Sequence, residues 1–156
     1  MTGDSREDEK QWLRRLDREA SGHLSAEEAA ERGQQLRPRM DAQMADPLGV
    51  GDFEVYGLMR ALECRASETR GLHYVDWVPE LDHLRSTKND QQGESLLLDC
   101  VAAAERDALV SGREPAPGYT NRLVIIYHRQ KRYADEVAII ERWELACPRE
   151  LRDNIR

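Results

Sequence analysis

The sequence predicts an all-α protein, on three observations. Apolar residues recur three and four positions apart through most of the chain, as they do along one buried helical face. No stretch alternates apolar and polar residues in the manner of a half-buried strand, and the one β-branched run, Val124-Ile125-Ile126, is completed by Leu123 and Tyr127 into a helical face. Between the periodic segments stand the glycines, prolines and capping residues that start and stop helices.

Each element follows from that pattern. From Arg6 to Ala20, Trp12, Leu13 and Leu16 share one face of an amphipathic helix, and Gly22 is placed to end it. Ser25-Ala26-Glu27-Glu28 has the form of a capping box, so a second helix starts near Ala26. Its apolar anchors are Ala29, Ala30 and Leu36, and it is expected to be weakly held and to stop before Pro38. Met40 to Gly51, with Pro47, Gly49 and Gly51, reads as an irregular linker. Asp52 is positioned to cap a helix whose face is Val55, Leu58, Met59 and Leu62. Ser67 to Leu72 reads as a polar turn containing Gly71. Trp77, Leu81 and Leu84 define a helix from Asp76 to Arg85, with Pro79 tolerated in its first turn. Glu94 to Val110 is the longest helix expected, ended by Gly112 ahead of Pro115 and Pro117. Tyr119 to His128 and Tyr133 to Cys147 form the last pair, joined by Arg129-Gln130-Lys131-Arg132, and Pro148 stops the second of them. The expected organisation is an N-terminal helical segment with its linker over 1–50 and a helical-hairpin domain over 51–156.

Composition narrows the function classes. The chain has 156 residues, 23 basic against 30 acidic, for a net charge of -7. That length supports one ordinary core without disulfides or metal. The longest aliphatic run, Leu123 to Ile126, falls far short of the roughly 20 residues that cross a bilayer. Met1 to Lys10 is acidic and lacks the apolar centre of a secretory signal, so no membrane partner and a cytoplasmic location are expected. The acidic balance weighs against nucleic-acid binding, which draws on basic neutralisation of phosphates. Cys64, Cys100 and Cys147 form no C-x-x-C pair, and no phosphate loop, nucleophile elbow or dinucleotide fingerprint is present. Neither a cofactor, a metal nor catalysis is expected. Cys100, inside Leu96 to Val101, reads as a small buried group.

Sliding the chain on itself by 43 residues places Val78 to Leu98 over Asn121 to Glu141, with Leu81 on Val124, Leu84 on Tyr127 and Lys88 on Lys131. Each copy is two helices joined by a short polar turn, and stacking such hairpins buries a face that neither buries alone. The second copy, Thr120 to Pro148, resembles a tetratricopeptide repeat: Leu123 and Tyr127 match the leucine and aromatic of its first helix, Tyr133 the aromatic opening its second, and Pro148 the closing proline. It departs from that pattern at Val124, Glu136 and Ile140, and the likeness covers about 30 residues, close to one repeat. The earlier copy fits only loosely, since Glu94 to Val110 exceeds the usual second helix.

This resemblance implies a short α-solenoid whose concave groove holds a protein segment or partner helix. Carried onto matching positions, it turns Asn121, Arg122, Ile125, His128 and Arg129 toward the groove, joined by Asp82 and Arg85 from the earlier copy. Arg85, Arg122 and Arg129 could together receive an acidic segment through bidentate guanidinium contacts. The competing view is that these charges are simply the solvated face of amphipathic helices.

Two other functions compete with a binding role. Asp17 to Glu28 is similar to an EF-hand calcium loop, with oxygen donors at alternating positions and Gly22 at the turn, although a glycine stop followed by a capping box explains the same residues. An enzyme site is the other, built from His73, Asp76, Asp82 and His83, with Asp76 and His83 two helical turns apart on one face.

Overall fold

The computed structural model describes residues 8, 11, 12, 14, 15, 18, 22, 24–45 and 53–152. Ser25 opens α1, Ala26–Met44, its hydroxyl accepting the Glu28 amide proton at 3.1 Å. The helix runs through Pro38 instead of stopping before it, and takes in Met40 to Met44, which the sequence assigns to a linker. An interior proline costs a helix about 3 kcal/mol, so tertiary contacts must outweigh it. Ala29, Ala30, Gly33 and Leu36 are all buried, and Arg37, just before the proline, donates to Val110 O at 2.9 Å and Asp41 Oδ1 at 3.0 Å. Gly33 is what sequence reasoning passed over. A Cβ there would lie 2.6 Å from Val110 Cγ2, so only glycine lets α1 approach this close.

The second helix, α2, spans Phe53–Ala66, and its expected face of Val55, Leu58, Met59 and Leu62 is buried throughout. Asp52, its expected cap, lies outside the described residues. The segment read as a polar turn is a small antiparallel pair, β1 Glu68–Thr69 against β2 Leu72–His73. Arg70 and Gly71 join them, both at positive φ (48° and 80°), the backbone a two-residue hairpin needs. This pair is the one departure from all-α structure among the described residues.

A 3-10 turn, Tyr74–Trp77, leads into α3, Val78–Ser86, so the helix expected from Asp76 begins in tighter form. The longest helix, α4, covers Asp90–Ser111; Asn89 caps its start and Gly112, at φ 68°, its end. The last long pair, α5 (Pro117–Arg129) and α6 (Tyr133–Ala146), falls within a few residues of expectation, and a single turn, α7 (Arg149–Arg152), follows Pro148.

Two hydrophobic cores share α4. Leu24, Leu36, Val55, Leu62 and Ala66 close around Val110 near the end of α4, with Trp12 and Met40 packed against them. Leu81, Leu84, Leu96, Leu97, Cys100, Leu123, Tyr127 and Ile139 form the second core around its beginning and middle. Burial pushes the Cys100 thiol up to about 11, as its reading as an inert apolar group requires. Leu13 and Leu16, expected beside Trp12, lie outside the described residues. Guanidinium groups tie chain segments together: Arg106 on α4 donates to the carbonyls of Ala66 and Glu68 at 2.9 and 2.8 Å, and Arg65 donates to Leu24 O at 2.8 Å. These bonds satisfy carbonyls at chain turns that have no helical partner.

The internal match of the sequence has a structural counterpart in the two hairpin turns. Lys88 and Lys131, 43 residues apart, both adopt left-handed backbone, at φ 56° and 58°. Asn89 N–H donates to Leu84 O and Arg132 N–H to Tyr127 O, while Lys88 N–H reaches Arg85 O and Lys131 N–H reaches His128 O. This is the paired six-to-one and five-to-two bonding of a Schellman turn. Two stretches with different side chains thus end a helix and reverse the chain in the same way.

Candidate functional site

Helices α3 and α5, the first members of the two hairpins, lie side by side across the start of α4 and leave a cleft of about 90 Å³ between them. Its apolar surface comes from Leu81 and Leu84 on α3, Leu97 on α4, and Ile125 and Ile126 on α5. Leu81, Leu84 and Leu97 are buried core residues, whereas Ile125 stands 62% exposed at the mouth. Gly93 keeps the wall beneath Leu84 low. The space is smaller than the roughly 150 Å³ that encloses a benzene ring, so it suits one small aliphatic group.

The rim is charged. Arg122 donates to Asp82 Oδ1 at 2.8 Å across the gap between α5 and α3, and Arg129 pairs with Asp90. Arg85 also lines the cleft, is exposed, and makes no ion pair or side-chain hydrogen bond among the described residues. Of the three arginines expected to receive an acidic segment, two already neutralise carboxylates of the protein itself, and one does not.

A second network ties α5 and the turn after it to α4. Glu94 on α4 takes two bonds from Arg132, at 2.8 and 3.0 Å, and one from the Tyr127 hydroxyl at 3.1 Å. The Arg132 guanidinium lies 4.6 Å from the Tyr127 ring centroid. Arg132's hydrogen bonds hold the Glu94 carboxyl below the usual carboxylate range, while burial, with Glu94 nearby, pushes the Tyr127 phenol up to about 12. These contacts join the second hairpin to α4.

The structure gathers Arg85, Arg122, Ile125 and Arg129 into the cleft, with Asp82 bound at its edge. It does not bring Asn121 or His128 there. Both are exposed on α5, and His128 Nδ1 lies 3.1 Å from Glu136 Oε2 with its ring beside Tyr133. Asn89, Asp90, Gly93 and Leu97 were missed because the groove was assigned to first helices alone. Asn89, Gly93 and Leu97 follow one another in i, i+4 steps, with Asp90 three before Gly93, and that spacing was the available signal.

The residues of the alternative sites are exposed, bonded elsewhere or undescribed. His73 accepts the Val75 amide proton at 3.2 Å, Asp76 and His83 are exposed, and Asp82 is paired with Arg122; none of them lines the cleft. Asp17, Glu19, Ser21 and His23 of the calcium-type loop lie outside the described residues, while Ser25 caps α1 and Glu27 lies 3.6 Å from Arg106. Among the described residues no three His, Cys, Asp or Glu side chains cluster to hold a metal ion, and no helix is long and apolar enough to cross a membrane. No protein-family model, curated protein or solved structure matches the chain.

Proposed function

We propose that this protein is a binding module of tetratricopeptide-like design that holds a segment of a partner protein in the cleft between α3 and α5, without catalysis. The partner inserts one small aliphatic side chain against Leu97 and Ile126 and sets a neighbouring carboxylate on Arg85. The observation that carries this reading is an arginine with no partner among the described residues, on the rim of an apolar cleft whose other two arginines are already matched. A cation left without a partner beside exposed apolar surface is available to an anionic group, and a guanidinium binds a carboxylate through two parallel bonds. The repeated turn geometry supports the design as well, since equivalent hairpins place equivalent first helices on one side.

The test is a library of short peptides pairing Asp or Glu with an adjacent Val, Leu or Ile, measured by fluorescence anisotropy against the native protein, Arg85→Glu and Asn121→Ala. Peptides selected by the native protein should lose about tenfold or more in affinity with Arg85→Glu, in line with a charge-assisted contact worth about 1.5–3 kcal/mol, and little with Asn121→Ala. Equal binding by the native and Arg85→Glu forms would remove the cleft as the site.

A further inference from the structure

An acidic pair sits where the two cores meet, away from the cleft and its arginines. Glu63 on α2 and Asp107 on α4 are close enough for the Asp107 carboxyl to favour a proton on Glu63. Tyr74, from the 3-10 turn and part of the second core, donates its hydroxyl to Asp107 Oδ2 at 2.8 Å. The other oxygen, Oδ1, is closed off from solvent and has no donor among the described residues. Folded proteins rarely leave a buried acceptor so, and each such case calls for a reason.

The surrounding groups do not provide a donor to Oδ1. Arg113, following α4, approaches Glu63 Oε1 at 3.5 Å, and Arg60 sits one turn earlier on α2. Arg37 from α1 is committed to Val110 O and Asp41, and Arg106 to Ala66 O, Glu68 O and Glu27. Tyr119 from α5 meets the Tyr74 ring edge-on and donates to Tyr74 O at 3.1 Å. A protonated Glu63 would offer an O–H for the lone pair that no described residue fills.

We propose that Glu63 and Asp107 share one proton, with Glu63 donating to Asp107 Oδ1, and that this bond makes the junction between the two cores a pH-responsive fastening that tightens on mild acidification. With the proton present, α2, α4 and the Tyr74 turn are joined through a single carboxylate. Without it, two negative charges face each other across a half-buried contact, opposed among the described residues by Arg113 and Arg60. Burial, followed by the Asp107 charge, holds the Glu63 carboxyl above its ordinary value of 4.5. The sign follows from proton linkage. The stabilisation is complete below that ordinary value and is lost as pH rises through the raised one.

The experiment uses the full chain in three forms: native, Glu63→Gln and Asp107→Asn. Carboxyl carbon-13 resonances of Glu63 and Asp107 are followed against pH, and urea unfolding is measured at pH 5 and pH 7.5. In the native protein Glu63 should titrate above 4.5, and in Asp107→Asn it should shift downward. Between the two pH values the native unfolding constant should rise relative to that of Glu63→Gln, whose amide can donate to Oδ1 at either pH. A native Glu63 titrating at or below 4.5, or the same pH dependence in native and Glu63→Gln proteins, would overturn the proposal. The resonance titration reads the proton directly, so it decides even if a variant is unstable.

Discussion

Replacing Gly33 with alanine is the sharpest test of how α1 meets α4. In an isolated helix the change is favourable by about 1 kcal/mol, because alanine restricts the unfolded chain and glycine does not. Here the new methyl would stand 2.6 and 2.8 Å from the two γ-carbons of Val110 and 3.1 Å from its β-carbon, roughly 1 Å inside the usual carbon–carbon contact of about 3.5–4.0 Å. Val110 has little room to yield. It is 1% exposed, its branched side chain has one strongly preferred rotamer in a helix, and its own carbonyl is tied to Arg37. Overpacking of this kind costs about 1–3 kcal/mol, so Gly33→Ala should lower stability by about 1–2 kcal/mol despite its better propensity. Urea unfolding followed by far-ultraviolet circular dichroism supplies the number. Val110→Ala in the same background removes both offending γ-carbons, so the double variant should be more stable than the sum of the single changes by about 1 kcal/mol or more. If Gly33→Ala is as stable as the native protein, or the two changes simply add, the close crossing of α1 on α4 is wrong.

Two further outcomes follow from the hairpins. Lys88→Gly and Lys131→Gly each relieve a left-handed lysine and should each raise stability by about 0.5–1 kcal/mol; thermal denaturation should give the same sign at both sites, and opposite signs would deny that the turns are equivalent. Glu94→Gln should flatten the acid limb of the stability curve. The Glu94 carboxyl is held low by Arg132, so its contribution is present above 4.5 and lost as pH falls through the lowered value; urea midpoints from pH 3 to pH 6 would show no difference in slope if the pairing contributes nothing.

Part of the candidate site was legible in the chain alone. Arg85, Arg122 and Arg129 could be placed on one side because hairpins offset by 43 residues repeat the same face. Their pairing could not be read, since Asp82 and Asp90 are brought to Arg122 and Arg129 only when α3, α4 and α5 pack. Nor could the Glu63–Asp107 contact be foreseen. The two residues are 44 apart, in helices whose polar faces look ordinary in isolation, and their meeting depends on where α2 crosses α4.

Helix type and many boundaries among the described residues were set by local physics: apolar spacing at Val55, Leu58, Met59 and Leu62, the Ser25 cap, the Gly112 stop, and the matching turns at Lys88 and Lys131. Such features act over one or two turns, so a chain carries them whatever its surroundings. Tertiary structure decided the rest. It carried α1 through Pro38, beyond which Met40 packs on the first core and Asp41 pairs with Arg37, and it folded Glu68 to His73 into a hairpin whose Thr69 carbonyl accepts from Trp77. Contacts between distant segments have no local signature, and where they outweigh intrinsic preference, only the packed molecule reveals it.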